Sequence, residues 1–354
     1  DECACVRIEW SEIQPAIDGG DMTENPYERG LERNPANHQP LTPLALLERA
    51  AKTFPDHTAV IHGGLRRTYK DFWHRSLRLA SALARHGIGE GDTVSAMLSN
   101  TPPMLEAHHG VPMTKAVLHA INTRLDAAVV AVQLDHAESR VVIVGREFSG
   151  VMKEALALAR VKPLVIDFDD PEYPLDAPHP KGARIGSIDY EEFVASGDSD
   201  FAWSMPDDEW DAIALNYTSG TTGNPKGVVY HHRGAALMAY SNTVHAGMGR
   251  HPVYLWTLPM FHCNGWCFPW TLALTAGTHV CLRWVRPRAM YDAIADHGVT
   301  HLCGAPIVMS LLVGANADEK RDFPQTVTFN TAAAPPPESV LSAMAEAGFA
   351  VNHL

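Results

Sequence analysis

The sequence predicts an α/β protein made of two helix-covered β-sheet subdomains. Three observations carry that prediction. Apolar, β-branched runs recur at Thr93 to Leu98, Arg140 to Val144 and Leu164 to Phe168, with helically spaced segments between them. That alternation is what parallel sheets covered by helices require. It resumes at Ala212 to Asn216, Val253 to Leu258, His279 to Leu282, His301 to Cys303 and Val327 to Asn330. Finally, 354 residues with 46% hydrophobic and 19% charged content suffice for a large core without disulfides, in roughly two units.

Taken in order, residues 1–40 are polar, rich in Gly, Asn, Glu and Pro, and read as a loosely ordered arm. Thr42 then caps a helix opened by Pro43, with Leu44, Leu47 and Ala51 on one face. Ala59 to His62 reads as a short strand ended by Gly63-Gly64. Tyr69 to His86 shows helical spacing through Phe72, Leu79 and Leu83, with Gly87 as C-cap. Helical segments follow near 102–112, 126–137 and 150–160. Residues 169–208 are a polar, Pro- and Asp-rich connection, and Asp207-Asp208-Glu209 at its end reads as a solvated loop. The expected division is an arm at 1–40, one α/β subdomain at 41–200 and a second at 201–354. From His251 to Cys281 no Asp, Glu, Lys or Arg occurs, a length that could span a bilayer. Pro252, Pro259, His262, Asn264, Gly265 and Pro269 interrupt it, so it reads as strand, loop and buried helix in a globular core.

Charge and cysteine usage bound the function. Lys and Arg number 28 against 41 Asp and Glu, a formal charge of −13, which argues against nucleic-acid binding but leaves room for one small-anion site. Six cysteines are too scattered for a disulfide scaffold. Cys263, Cys267, Cys281 and Cys303 lie in apolar surroundings and are expected as buried thiols, which fits a reducing cytosol. No basic-then-apolar leader opens the sequence, which also lacks an initiator Met.

The most informative segment is Tyr217 to Gly227, YTSGTTGNPKG, between a predicted strand and a helix from about Gly234. Its glycines allow backbone N–H groups to converge on an anion. Thr218, Ser219, Thr221 and Thr222 add hydroxyls that could also reach a magnesium ion, and Lys226 supplies a compact positive charge for phosphate oxygens. It is not a Walker A loop, because Pro225 precedes Lys226, and not a G-x-G-x-x-G fingerprint. The Gly87, Gly89, Gly91 cluster reads as a helix-to-strand turn.

YTSGTTGNPKG resembles the signature of the AMP-forming acyl-CoA synthetases in the adenylate-forming superfamily. Arg66 to Phe72 (RRTYKDF), Asn100 to Ala107 (NTPPMLEA) and Ile121 to Asp126 (INTRLD) resemble that family's N-terminal domain. Leu258 to Trp270 (LPMFHCNGWCFPW) resembles its acyl-pocket segment, and Thr331 to Pro337 (TAAAPPP) its adenine-site loop. Together the likenesses cover about residues 40–354. The resemblance implies the large N-terminal domain of the adenylate-forming fold with its C-terminal part missing. It implies a two-step reaction: a carboxylate and ATP give acyl-AMP and pyrophosphate, and coenzyme A then takes the acyl group as a thioester. Thr218 would contact magnesium and phosphate, while Ser219, Gly220, Thr221, Thr222, Gly223 and Lys226 would hold the β- and γ-phosphates. Ala332, Ala333, Ala334 and Pro335 would border the adenine, although alanines stand where members of the family often carry glycine.

The likeness also implies that His262 lies beside the acyl carboxylate, and that Asn264, Gly265 and Trp266 belong to the acyl pocket, for a short- or medium-chain aliphatic or methylthio-substituted acid. Read from the residues, His262 is a core histidine, and His231-His232 are a partly exposed pair at a strand end. Cys263 and Cys267 beside His262 are too few for a zinc site. The sequence stops before the family's remaining magnesium, ribose and catalytic-lysine motifs, so the chain is expected to be a poor ligase by itself. A non-catalytic nucleotide- or acyl-binding domain, and acyl transfer to a carrier protein, are the alternatives. ATP, Mg2+, coenzyme A and a small carboxylate are the expected ligands, with no integral membrane association; a homodimer is compatible with all of this.

Overall fold

The computed structural model describes residues 25–28, 30–174, 177, 179–218, 225–332 and 335–353. The chain divides into two compact units, residues 1–39 and 40–354. In the first, a single turn of 3-10 helix at Pro26–Glu28 and side-chain-bonded turns around Asn25 and Asn34 are the described structure.

The second unit contains two seven-stranded sheets. Its strands are β1 Thr58–His62, β2 Leu65–Thr68, β3 Thr93–Met97, β4 Val117–Ala120, β5 Ser139–Gly145, β6 Leu164–Phe168, β7 Ile188–Asp189, β8 Ala212–Tyr217, β9 Gly227–His231, β10 Val253–Leu255, β11 Thr278–Val280, β12 His301–Cys303, β13 Val327–Thr331 and β14 Phe349–His353. Its helices are α1 Leu44–Thr53, α2 Tyr69–Arg85, α3 Pro102–Gly110, α4 Ala127–His136, α5 Ser149–Leu158, α6 Tyr190–Ala195, α7 His232–His245, α8 Phe268–Thr275, α9 Pro287–His297, α10 Pro306–Val313 and α11 Glu338–Glu346. One sheet runs β14-β13-β12-β10-β11-β1-β2 and the other β7-β6-β5-β3-β4-β8-β9. Every pairing is parallel except β1–β2 and β8–β9, so each sheet ends in one antiparallel hairpin. Each sheet draws strands from both sides of residue 200, so the expected boundary there separates stretches of chain and not sheets.

Strand composition explains the layering. Along β5, Val141 and Ile143 face a core shared by the two sheets, while Val142 and Val144 face an outer core under α4 and α5. A strand buried on both faces reads as a continuous apolar run. The shared core holds α1, α2, α3 and α8, including Phe72, Tyr254, Trp256, Phe268 and Trp270. A third core packs α9, α10 and α11 on the outer face of the first sheet. The uncharged stretch from residue 251 to 281 becomes β10, a loop, the wholly buried first turns of α8, and β11. Among the described residues no helix is long and apolar enough to cross a membrane.

Several local expectations change. The connection 169–208 contains β7 and α6. Asp189 and Glu192 form a capping box there, and Tyr190, Phe193 and Val194 are buried. Glu209 is not simply solvated: it accepts from Leu41 N at 2.9 Å and pairs with Arg233 at 2.6 Å. Leu65–Thr68, unassigned from sequence, forms β2. Arg67 is tolerated there because it pairs with Glu106, which also holds Arg75 Nε at 2.7 Å and the Tyr190 hydroxyl at 2.7 Å. Cys263 is exposed, whereas Cys267, Cys281 and Cys303 are buried.

Candidate functional site

Three segments come together at the carboxyl ends of parallel strands, where open α/β sheets bind ligands. Thr218 follows β8, residues 256–267 follow β10, and Ala332 follows β13. The β8–β9 hairpin stays paired up to Tyr217↔Gly227. Beyond that, Thr218 N donates to Lys226 O at 3.1 Å, and Lys226 N donates to Thr218 Oγ1 at 3.4 Å. Thr218 and Lys226 therefore close the neck of the loop. Both side chains are exposed, and Lys226 has no ion-pair partner among the described residues. Ser219, Gly220, Thr221, Thr222 and Gly223 lie outside the described residues, as do Ala333 and Ala334.

The segment after β10 is held in place before it turns. Asn100 Nδ2 donates to Trp256 O at 2.8 Å and Leu258 O at 3.0 Å, and Asn100 Oδ1 accepts from Met260 N at 2.8 Å. Five consecutive residues then adopt left-handed backbone: Cys263 (φ 43°), Asn264 (48°), Gly265 (57°), Trp266 (52°) and Cys267 (60°). Gly265 takes this conformation without strain, but for other L-residues it costs roughly 1–2 kcal/mol each. Neighbouring groups stabilise it: Asn242 Nδ2 donates to Trp266 O at 2.8 Å, and Thr271 Oγ1 donates to Cys267 O at 3.1 Å. Strained backbone of this kind concentrates at ligand sites.

The left-handed turn sends its side chains in two directions. Cys263, Trp266 and Cys267 line a cavity of about 540 Å³, together with Val229, Tyr230, His231, Gly234, Ala235, Met238 and Ala332. Asn264 is fully buried away from this cavity, with its side chain beside the buried His108 ring. Gly265 is buried against the Trp256 ring; a Cβ there would sit 3.0 Å from the indole. The structure thus brings Trp266 and Ala332 to one cavity. Asn264 and Gly265 do not line it. His262 is exposed and Pro335 is exposed, and neither lines it. The reading of His262 as a core histidine does not hold.

Among the described residues, no Asp, Glu, Lys or Arg lines the cavity. Burial pushes the Cys267 thiol up to about 12 and raises that of Cys263, and burial pushes the Tyr230 phenol up to about 12. Sequence reasoning missed most of the lining. The available signal was the spacing of His231, Gly234, Ala235 and Met238, which is i, i+3, i+4, i+7 along the start of α7. The His231-His232 pair also divides. His232 is buried, bonded through Nδ1 to Thr42 Oγ1 at 2.8 Å, and held by burial at about 4. His231 caps α7, accepting from Gly234 N at 2.8 Å.

For a magnesium ion, the described residues here offer one neutral oxygen, Thr218 Oγ1. Mg2+ demands six oxygens and usually takes carboxylate and substrate phosphate as well. Thr218 fits as one ligand of an ion held chiefly by phosphates, and not as a site by itself.

The chain as a whole is similar to known proteins. The profile of a family described as "AMP-binding enzyme" matches residues 47–353. An acetate/butyrate–CoA ligase of Arabidopsis thaliana, named as peroxisomal, is 47% identical over 91% of this chain and 58% of its own length. A 2-methylpropanoate–CoA ligase of Humulus lupulus is 43% identical over 91% of this chain and 58% of its own. The chain therefore spans less than two thirds of these relatives. Among solved structures, the N-terminal domain of FACL13 from Mycobacterium tuberculosis superposes with a TM-score of 0.73 at 24% identity, over 88% of this chain and 74% of that one. That likeness concerns the fold.

Proposed function

The chain belongs to the AMP-binding enzyme family, and from that premise we propose that it is the ATP- and acyl-handling part of an AMP-forming acyl-CoA synthetase for short- or medium-chain carboxylic acids. The observation that carries the reading is the juxtaposition after β8, β10 and β13: a loop necked by Thr218 and Lys226 beside a largely apolar cavity bounded by Trp266 and Ala332. The relatives' names, which specify acetate, butyrate and 2-methylpropanoate with coenzyme A, support the same reaction class and favour coenzyme A over a carrier protein as acceptor.

The chemistry follows from charge. A carboxylate with an unperturbed pKa of about 4–5 is already ionised at neutral pH, so its attack on the α-phosphate of ATP needs no general base. The obstacle is bringing an anion to a polyanion. Lys226 and the N–H groups of the loop would spread the charge of the departing pyrophosphate. Thr218 would orient a phosphate oxygen and contribute to a magnesium site, where the ion neutralises phosphate charge. His262 would contact the acyl carboxylate, and Asn264 and Gly265 would support the turn that aims Trp266 into the cavity.

The test is carboxylate-dependent pyrophosphate release by the native gene product across a panel from acetate to octanoate and benzoate. Release with the aliphatic acids, followed by thioester formation with coenzyme A, supports the reading; release with none of them contradicts it. The second reading is a domain that binds without turnover. It would show acid or nucleotide binding without pyrophosphate. The described cysteines are all free thiols, which supports a reducing compartment. Imaging of the tagged protein separates the cytosol from the peroxisome named for a relative.

A further inference from the structure

His231 is a polar side chain of the cavity that the proposed reaction leaves unused. Three contacts fix its ring. Its Nδ1 accepts from Gly234 N at 2.8 Å, so in the neutral ring the proton sits on Nε2. The Trp210 indole covers it at 4.4 Å between ring centroids. Its remaining edge lies over Gly234, where a Cβ would meet Cε1 at 3.0 Å, so the absence of a side chain there makes room for the imidazole. Among the described residues, Nε2 has no hydrogen-bond partner.

Position gives this donor a role. Strand β9 runs from Gly227 at the neck of the loop to His231. Four steps of an antiparallel strand cover about 13 Å. Helix α7 then turns back along the cavity through Gly234, Ala235 and Met238. A ligand whose carboxylate reacts beside the loop therefore extends its tail toward His231. Everything between is apolar or a neutral thiol or phenol, so a pinned N–H at that end meets the tail and not the reacting carboxylate.

We infer that His231 Nε2–H is the recognition group for a hydrogen-bond acceptor at the far end of the acyl chain. The substrate class is then medium-chain acids carrying a terminal oxo or ether oxygen, in preference to plain alkanoates of the same length. This rests on the acyl-pocket reading above and narrows it. Filling the end of the cavity with plain hydrocarbon would leave the Nε2–H desolvated and unpaired, which favours the acid that supplies an acceptor.

The experiment is calorimetric titration of the native gene product, without ATP, with octanoate and with 7-oxooctanoate, for the unaltered protein and for His231→Asn. The Asn amide oxygen keeps the helix cap but is too short to reach the tail; thermal melting checks that the variant is folded. The expected result is a preference of about three- to tenfold for the oxo acid, as one added hydrogen bond gives, and its disappearance in His231→Asn. Equal affinities in the unaltered protein, or a preference that survives the substitution, would overturn the role of His231 while leaving the acyl pocket standing. Binding of neither acid would overturn the pocket reading as well.

Discussion

The two antiparallel hairpins at the sheet edges share a topology and differ in how they are closed. In β1–β2 the turn is Gly63-Gly64, with His62 opposite Leu65. Gly63 has φ +53°, and Gly64 N donates to Glu172 at 2.8 Å. Beside it, His62 meets Asp170 at 2.9 Å, and Arg283 pairs with both Asp170 and Glu147. All four side chains are buried, and they tie β1 and β11 of one sheet to the ends of β5 and β6 of the other. In β8–β9 the connection is long, its neck is two backbone-linked hydrogen bonds, and Lys226 stands exposed without an ion partner among the described residues. One hairpin commits its polar groups to the fold, and the other keeps a hydroxyl and a cation available at its mouth. Substitutions in the first should therefore change stability, and in the second, chemistry.

The largest effect is expected from Arg283→Met. Removing one partner of a buried ion network typically costs about 3–5 kcal/mol, read as a lowered urea midpoint, with the activity of the remaining folded protein unchanged. The same network makes stability pH-dependent. Asp170 is itself pulled upward by burial, but its contacts with His62 and Arg283 outweigh that and hold its carboxyl well below the usual range. A depressed folded pKa stabilises fully above the unfolded value and is lost as pH falls toward the folded one. The urea midpoint should therefore hold between pH 7 and 5 and fall below about pH 4. Asp170→Asn should flatten that fall, and an unflattened profile would remove Asp170 from the account.

In the second hairpin, Lys226→Ala should slow pyrophosphate release about a hundredfold or more, the loss typical of removing one charge-stabilising group, with little change in melting temperature. Thr218→Val should slow it less, about tenfold, as for a single neutral hydrogen bond of roughly 1.4 kcal/mol. Gly63→Ala should act on stability alone. Its left-handed backbone and the nearby Glu172 carboxylate predict a loss of about 1–2 kcal/mol in stability and an unaltered reaction rate per folded molecule. A rate change in Gly63→Ala would break the division between the hairpins.

What could be read from sequence divides along similar lines. Strands buried on both faces, such as β3, β5 and β6, announce themselves as apolar runs, and α2 by its spacing and its Gly87 cap. Strand β2 stayed hidden because Arg66 and Arg67 look solvated until Glu106, distant in sequence, pairs with Arg67. The capping box of α6 was legible at Asp189 and Glu192 but was submerged in a polar stretch. The Thr218 to Lys226 segment stood out in the sequence because its residue types are dictated locally, and the described residues show its neck alone. The left-handed turn was not: nothing about Cys263, Trp266 or Cys267 suggests positive φ, which is imposed by Asn242, Thr271 and the Asn100 clamp. The cavity was half legible, since its α7 side follows helical spacing while its other side depends on that turn.

The most direct test of the division is carboxylate-stimulated exchange of labelled pyrophosphate into ATP, measured side by side for the native gene product, Lys226→Ala and Gly63→Ala, each normalised to folded protein. The account predicts exchange in the native protein and in Gly63→Ala, and its near-complete loss in Lys226→Ala. Equal exchange in Lys226→Ala and the native protein would show that the β8–β9 loop does not handle the phosphates, and would contradict the account at its centre.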